Sequence, residues 1–436
     1  MVTALVVGNM IGSGVWLLPA SLAPYGGISL LGWIVTSAGA ILLALVFGQL
    51  ARMVPAAGGP YAYARRGFDD FTGYLVAWGY WMAVWIGNAA IAVAMVSYLS
   101  IFVPTLKTVP HLAAAVAIGV LWLLTIVNMA GVRNAGFIQL VTTVLKLIPL
   151  VAIALFGLFF FDVKHFVPFN ASGESAFSAI AATGALTLWA FLGVESATVP
   201  ADNVVDPKKT IPRATIVGAI LASAVYILGT ISIMGLMSPD ALAASSAPYA
   251  DAAQAMWGDW ASYFVAAGAV VSTFGALNGW LLLQGQVPLA IAKDGLFPSV
   301  FAHTSKQGTP VAGMVISSLL VTVLIMMNFT KSMVDAFTFI ILLATLTMLY
   351  PYVICTMAEL MILIKDREHF RGKRLFGSIA IACLAFVYSV GAVYGAGMET
   401  VFWGFILLLA GIPIYIWVKW RQARQTEDQG DICRYK

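Results

Sequence analysis

Val7-Gly8-Asn9-Met10-Ile11-Gly12-Ser13-Gly14-Val15-Trp16 sets two glycines and a serine inside an apolar run. Glycine is a poor helix former, and without a Cβ it lets another group approach the backbone. The stretch therefore reads as a membrane span broken near residues 12–14. Unwinding there frees N–H groups at the start of the outer half-helix, and these, with the helix dipole, can hold a carboxylate. Small residues also let helices pack closely, so one Gly-x-Gly does not decide the matter. A second interruption does. Thr187-Leu188-Trp189-Ala190-Phe191-Leu192-Gly193-Val194-Glu195-Ser196 breaks another apolar run near 190–196. Two broken spans about five spans apart mark inverted-repeat membrane carriers, with the binding site between the breaks.

Working outward, the whole chain suits a bilayer. Of its 436 residues 61% are hydrophobic and only 10% charged, with a mean hydropathy of +0.93. Soluble domains carry roughly 25% charged residues. With about 20 apolar residues needed per span, the expected segments are 1–22, 27–52, 70–102, 110–129, 136–161, 175–202, 211–238, 257–292, 310–328, 333–364, 374–397 and 399–420. The third and eighth are too long to cross perpendicularly, so they tilt or extend past the hydrocarbon. The loop charges orient the bundle. On this reading the outer loops hold only Lys107, Lys164 and Lys331. The other lysines and arginines, Arg133, Arg367, Arg371 and Lys436 among them, fall on the opposite side, save Lys146 inside span 5. Positive loops stay inside, so both termini are expected in the cytoplasm, in a multi-pass cell inner membrane protein.

Several classes drop out. There is no phosphate-cradling Walker loop to run an ATP-driven pump, so movement across the membrane must be driven by gradients or by exchange. No cofactor, metal site, catalytic cluster or nucleic-acid patch is expected. Cys355, Cys383 and Cys433 lie too far apart for a metal or disulfide framework, and the first two read as small core residues. His111, His165, His303 and His369 fall in or beside loops and read as solvated. The N-terminus has no basic n-region before its apolar run, so it reads as the first span rather than a signal peptide. The polar stretch Arg421 to Lys436 is expected to be disordered.

Longer motifs make the reading specific. Gly12-Ser13-Gly14-Val15 followed by Leu17-Leu18-Pro19-Ala20 resembles the first span of the amino acid–polyamine–organocation superfamily. Gly58-Gly59-Pro60-Tyr61-Ala62-Tyr63-Ala64 resembles its loop after span 2. Trp85-Ile86-Gly87-Asn88, Leu188 to Ala197, Gly279-Trp280 and Asp294-Gly295-Leu296-Phe297-Pro298 resemble its basic amino acid/polyamine antiporter branch, closest to the arginine/agmatine antiporters. The resemblance runs nearly end to end. It implies an all-α membrane protein of the leucine-transporter fold, with two inverted five-span repeats in residues 1–366. Two extra spans in 367–421 and a cytoplasmic tail in 422–436 complete it. It also implies a homodimer in the lipid bilayer and a small-molecule amino acid or amine substrate. Family members carry a short cytoplasmic tail before span 1 that this sequence lacks, which suggests a truncated start.

The resemblance also distributes roles. Ser13 and Gly14 would bind the substrate carboxylate, and Ile11 and Gly12 would offer carbonyls to its α-amino group. Trp189 would stack on the cationic end, an interaction of about 0.5–2 kcal/mol, and Trp280 would act as a gate below the substrate. Asn88 can accept a hydrogen bond from the substrate cation or simply bond another helix, with Ala83 and Val84 lining the same pocket. Glu195, Tyr80 and Tyr352 would form the cytoplasmic gate. Glu195 could alternatively titrate or serve a structural pairing.

Lys146 departs from the closest branch, which has a small apolar residue there. In other superfamily members a lysine at this place substitutes for a sodium ion against span 1. It can be read as a fixed strut, as a titrating coupling group, or as a snorkelling side chain. Span 10 has Ala344 where the closest relatives carry serine, and span 3 has Ile91 in place of methionine. The reading is thus an exchanger of an arginine-like amino acid for an agmatine-like amine or another amino acid. A proton-coupled symporter is the alternative, and a receptor without turnover would need an output domain.

Overall fold

The computed structural model describes residues 2–55, 58–130, 135–198, 204–306, 308–328, 330–365 and 373–434. Arg133, Arg367, His369, Arg371 and Lys436 lie outside them. The described chain is helical with no β-strand. In hydrocarbon every backbone polar group must be satisfied within its own segment, which leaves helices as the default for so apolar a chain.

Span 1 is two half-helices, Val2–Met10 and Gly14–Leu22, separated at Ile11–Ser13. Span 2 is Ser29–Met53, span 3 Asp70–Leu99, span 4 Pro110–Met129 and span 5 Ala135–Phe156. Span 6 begins as Ala176–Leu188 and continues through 3-10 turns at Trp189–Phe191 and Ser196–Thr198. Span 7 is Pro207–Leu236, span 8 Asp259–Lys293, span 9 Val311–Asn328 and span 10 Met333–Lys365. Span 11 is Lys373–Gly395, and span 12 joins Met398–Leu409 to Gly411–Arg434 at Ala410. Ten helices among the described residues are long and apolar enough to cross a membrane, the outer half of span 1 and span 2 counting as one, with Val144–Phe160 a shorter apolar helix. The chain is a multi-pass, all-α membrane protein of about twelve spans. At 1.5 Å per residue spans 3 and 8 are roughly 45 and 50 Å long, longer than a bilayer core.

Counterparts five spans apart pack on one another: span 1 on span 6, span 2 on span 7, span 3 on span 8, and span 4 on span 9. The two broken spans therefore face each other, with the long spans 3, 8 and 10 beside them. Span 11 leans on spans 2, 6 and 10, and the first part of span 12 on spans 3 and 10.

Three expectations are corrected. The stretch after Arg421 continues span 12 as helix to Arg434 instead of being disordered. Cys383 is exposed on span 11, so only Cys355 is a buried core residue. His165 is half-buried and its Nδ1 lies 2.9 Å from the Gly235 carbonyl, because the loop after span 5 folds back on the end of span 7.

Candidate functional site

The break in span 1 leaves the first N–H groups of the Gly14–Leu22 half-helix without intrahelical acceptors. Around them a small cavity is lined by Asn9, Gly12, Ser13 and Gly14 of span 1, Ala83, Val84 and Gly87 of span 3, and Trp189 and Trp280. Met10, Ile91, Leu192 and Met348 complete it. Ser13 is buried and its hydroxyl has no hydrogen-bond partner among the described residues. A buried polar atom without a partner costs free energy.

Trp189 follows the last full turn of Ala176–Leu188. Its ring lies against two glycines: a Cβ at Gly14 would stand 3.0 Å from its Cδ1, and one at Gly87 2.8 Å from its Cη2. Any larger residue at either position would displace the indole. Gly193, at φ +99°, turns the chain where only glycine is comfortable. There a Cβ would meet Asn9 and the Trp280 ring, each at 3.2 Å. The two breaks are thus in direct contact. The carbonyl of Ala190, freed by the unwinding, accepts from the Tyr226 hydroxyl of span 7 at 2.9 Å.

Below the cavity Glu195 is completely buried. Tyr80 donates to its Oε1 at 3.0 Å and Tyr352 to its Oε2 at 2.6 Å. The side chains come from spans 3, 6 and 10, so one carboxylate ties three spans together. Tyr80 also lines a second recess with Tyr61, Ala77 and Val287, which places the tyrosine between cavity and recess. Outside this layer the Tyr61 hydroxyl and the Arg65 guanidinium both donate to Asp294 Oδ2 at 2.7 Å. Burial, then the Asp294 carboxylate, pushes the Tyr61 phenol up.

Above the cavity Trp16 packs edge-on to Tyr98 and Tyr249, with ring centroids 5.6 and 5.2 Å apart. Tyr98 donates to the Trp16 carbonyl at 2.7 Å, and Trp16 Nε1 donates to Ser272 Oγ at 3.1 Å.

Lys146 does not snorkel. Its side chain is 1% exposed, and Nζ donates to the carbonyls of Gly8 at 2.7 Å and Ile11 at 2.5 Å. The Ile11 carbonyl is therefore already engaged by the lysine, whereas Gly12 lines the cavity. Asn88 stands beside the cavity on the helix face of Val84 and Ile91 and bonds to Gln284 of span 8 at 2.7 Å. Sequence reasoning passed over Asn9, Gln284 and the Trp16–Tyr98–Tyr249 cluster. Gln284 had a signal, an amide within an apolar span one turn from Trp280. The aromatic cluster had none, since its members lie far apart in sequence.

Residues 1–418 match the model of a family described as amino acid permease. A putative arginine/ornithine antiporter of Bacillus subtilis is 34% identical, over 98% of this chain and 98% of its own. A cadaverine/lysine antiporter of Escherichia coli is 40% identical, over 74% of this chain and 73% of its own. A putrescine transporter of Haemophilus influenzae is 33% identical, over 96% of each chain.

Proposed function

Because this chain belongs to the amino acid permease family, in the basic amino acid/polyamine antiporter branch of the amino acid–polyamine–organocation superfamily, we propose that it exchanges a cationic, arginine-like amino acid for its decarboxylated, agmatine-like amine or for another amino acid. It is a membrane transporter and not an enzyme. The relatives named above carry arginine and ornithine, lysine and cadaverine, or putrescine, all cations at one or both ends. The observation that carries the reading is the cavity between the two breaks, with an unpaired Ser13 hydroxyl on one wall and the Trp189 indole on another. The freed N–H groups and the Ser13 hydroxyl suit a carboxylate, and the indole face suits a guanidinium or ammonium. Ala83 and Val84 fill the wall between, and Trp280 closes the cavity against Gly193.

Glu195 with Tyr80 and Tyr352 then acts as the inner gate, and Lys146 as a strut that occupies a cation's place between spans 1 and 5. The chain works in a cell inner membrane with both termini in the cytoplasm, as a homodimer. A second reading, proton-coupled symport, draws on the same two buried ionisable groups, Lys146 and Glu195, with one of them titrating. Uptake of labelled arginine, lysine and ornithine into proteoliposomes separates the two. Uptake that needs internal substrate supports exchange. Uptake into empty vesicles driven by a pH gradient supports symport and overturns the exchange reading. Loading the vesicles with agmatine, cadaverine or ornithine identifies the counter-substrate.

A further inference from the structure

Asn88 ends a chain of buried side chains that crosses spans 4, 9, 8 and 3, and the direction of every hydrogen bond in that chain is fixed. A backbone carbonyl can only accept. Thr125 donates its hydroxyl to the Leu121 carbonyl at 2.8 Å. The Thr125 oxygen must then accept in its 2.8 Å contact with Ser318 Oγ, so Ser318 spends its own proton there. Ser318 in turn accepts from Gln284 Nε2 at 2.9 Å, and the same nitrogen reaches the Met314 carbonyl at 3.2 Å. Turning the Gln284 amide over would set its oxygen against the Met314 carbonyl, acceptor against acceptor. Gln284 therefore shows Oε1 to span 3, and Asn88 answers with Nδ2 at 2.7 Å. What remains of the Asn88 amide is its second N–H and its carbonyl oxygen, and the oxygen is buried without a partner among the described residues. Val84 and Ile91, on the same helix face, line the cavity, as does Trp280, one turn from Gln284.

We infer that Gln284 is a positioning residue for substrate selection: it locks the Asn88 amide with its acceptor free, so that the site takes a hydrogen-bond donor such as an ammonium or guanidinium and disfavours a neutral group of the same size. Without Gln284 the Asn88 amide can turn, and either of its ends can face the substrate. Apolar or carbonyl-bearing analogues then lose their handicap. This rests on the proposed placement of Asn88 against the substrate's cation, and the test separates the two claims.

The experiment measures inhibition of labelled exchange in proteoliposomes by lysine against norleucine, which lacks any donor at that end. It compares the native chain, Gln284→Met and Asn88→Leu. Methionine conserves the volume of Gln284 while removing both of its polar atoms. The expected result is that the charged-over-neutral preference narrows by about tenfold or more in Gln284→Met, the scale of one hydrogen bond to a charged group, and at least as much in Asn88→Leu. A preference unchanged in Gln284→Met but narrowed in Asn88→Leu overturns the positioning role and leaves Asn88 in the site. A preference unchanged in Asn88→Leu removes Asn88 from the site, and the inference with it. Equal weakening of charged and neutral ligands by Gln284→Met reduces the residue to packing and also overturns the inference. If Gln284→Met does not fold, Ser318→Ala carries the test. It deletes one of the two acceptors that hold Gln284, and a smaller narrowing in the same direction is expected. No narrowing there overturns the proposal.

Discussion

Lys146 of span 5 donates its ammonium to the carbonyl of Gly8 in span 1 at 2.7 Å, and reaches Ile11 at the edge of the break as well. Inserting an ammonium at mid-membrane costs about 2.5–3.5 kcal/mol. The two carbonyls, left short of partners where span 1 unwinds, offset that cost and are themselves satisfied. Under the proposed strut role, Lys146→Ala lowers exchange at every pH without changing the shape of the pH profile, because a support is lost and no proton site is. Exchange rates between pH 5 and pH 8 check this. A mutant that ignores a pH gradient yet keeps counterflow would establish symport through this lysine.

Trp189 sits against Gly14 and Gly87, on the wall where a substrate cation would stack. Replacing it by leucine removes the π-face. Trp189→Leu is expected to raise the apparent Km by roughly 2- to 30-fold, the range of a cation–π contact, or to abolish transport, at normal protein level. Trp122, whose Nε1 bonds Thr322 at 3.1 Å between spans 4 and 9, should tolerate the same change with little effect on Km. Equal and mild effects at both positions would make Trp189 a packing residue.

Ser13 contributes the unpaired hydroxyl of the cavity. A lysine there would put an ammonium into the space proposed for the carboxylate and occupy the freed backbone carbonyls. Ser13→Lys should therefore eliminate both exchange and arginine binding, the latter measured by calorimetry in detergent. Binding that survives the substitution would place the carboxylate elsewhere.

Tyr352 donates to Glu195 Oε2 at 2.6 Å from span 10. Tyr352→Phe leaves that buried oxygen unpaired, a cost of about 1–3 kcal/mol, and loosens the layer between cavity and inner recess. A cysteine introduced at Val84 should then react faster with an impermeant maleimide added from the inner face. Unchanged labelling in the Tyr352→Phe background would show that the tyrosine does not gate access.

The proposed orientation predicts that a C-terminal reporter is active in the cytoplasm and silent outside. A reporter active only on the outer side would invert the assignment made from Lys107, Lys164 and Lys331.

The spans and their breaks were legible in the sequence because both are local. A bilayer admits little but helices here, so apolar runs mark where Ser29–Met53 or Asp70–Leu99 lie. Glycine and serine mark where Ile11–Ser13 and Leu192–Glu195 unwind. Proximity across the fold is another matter. Lys146 and Gly8 are 138 residues apart, and Asn88 and Gln284 are 196 apart. Which end of the Asn88 amide is left unpaired depends on acceptors that reside in spans 4 and 9. No stretch of sequence around Asn88 contains them. Tertiary packing alone decided that polarity, because an amide has both donor and acceptor and only its neighbours can choose between them.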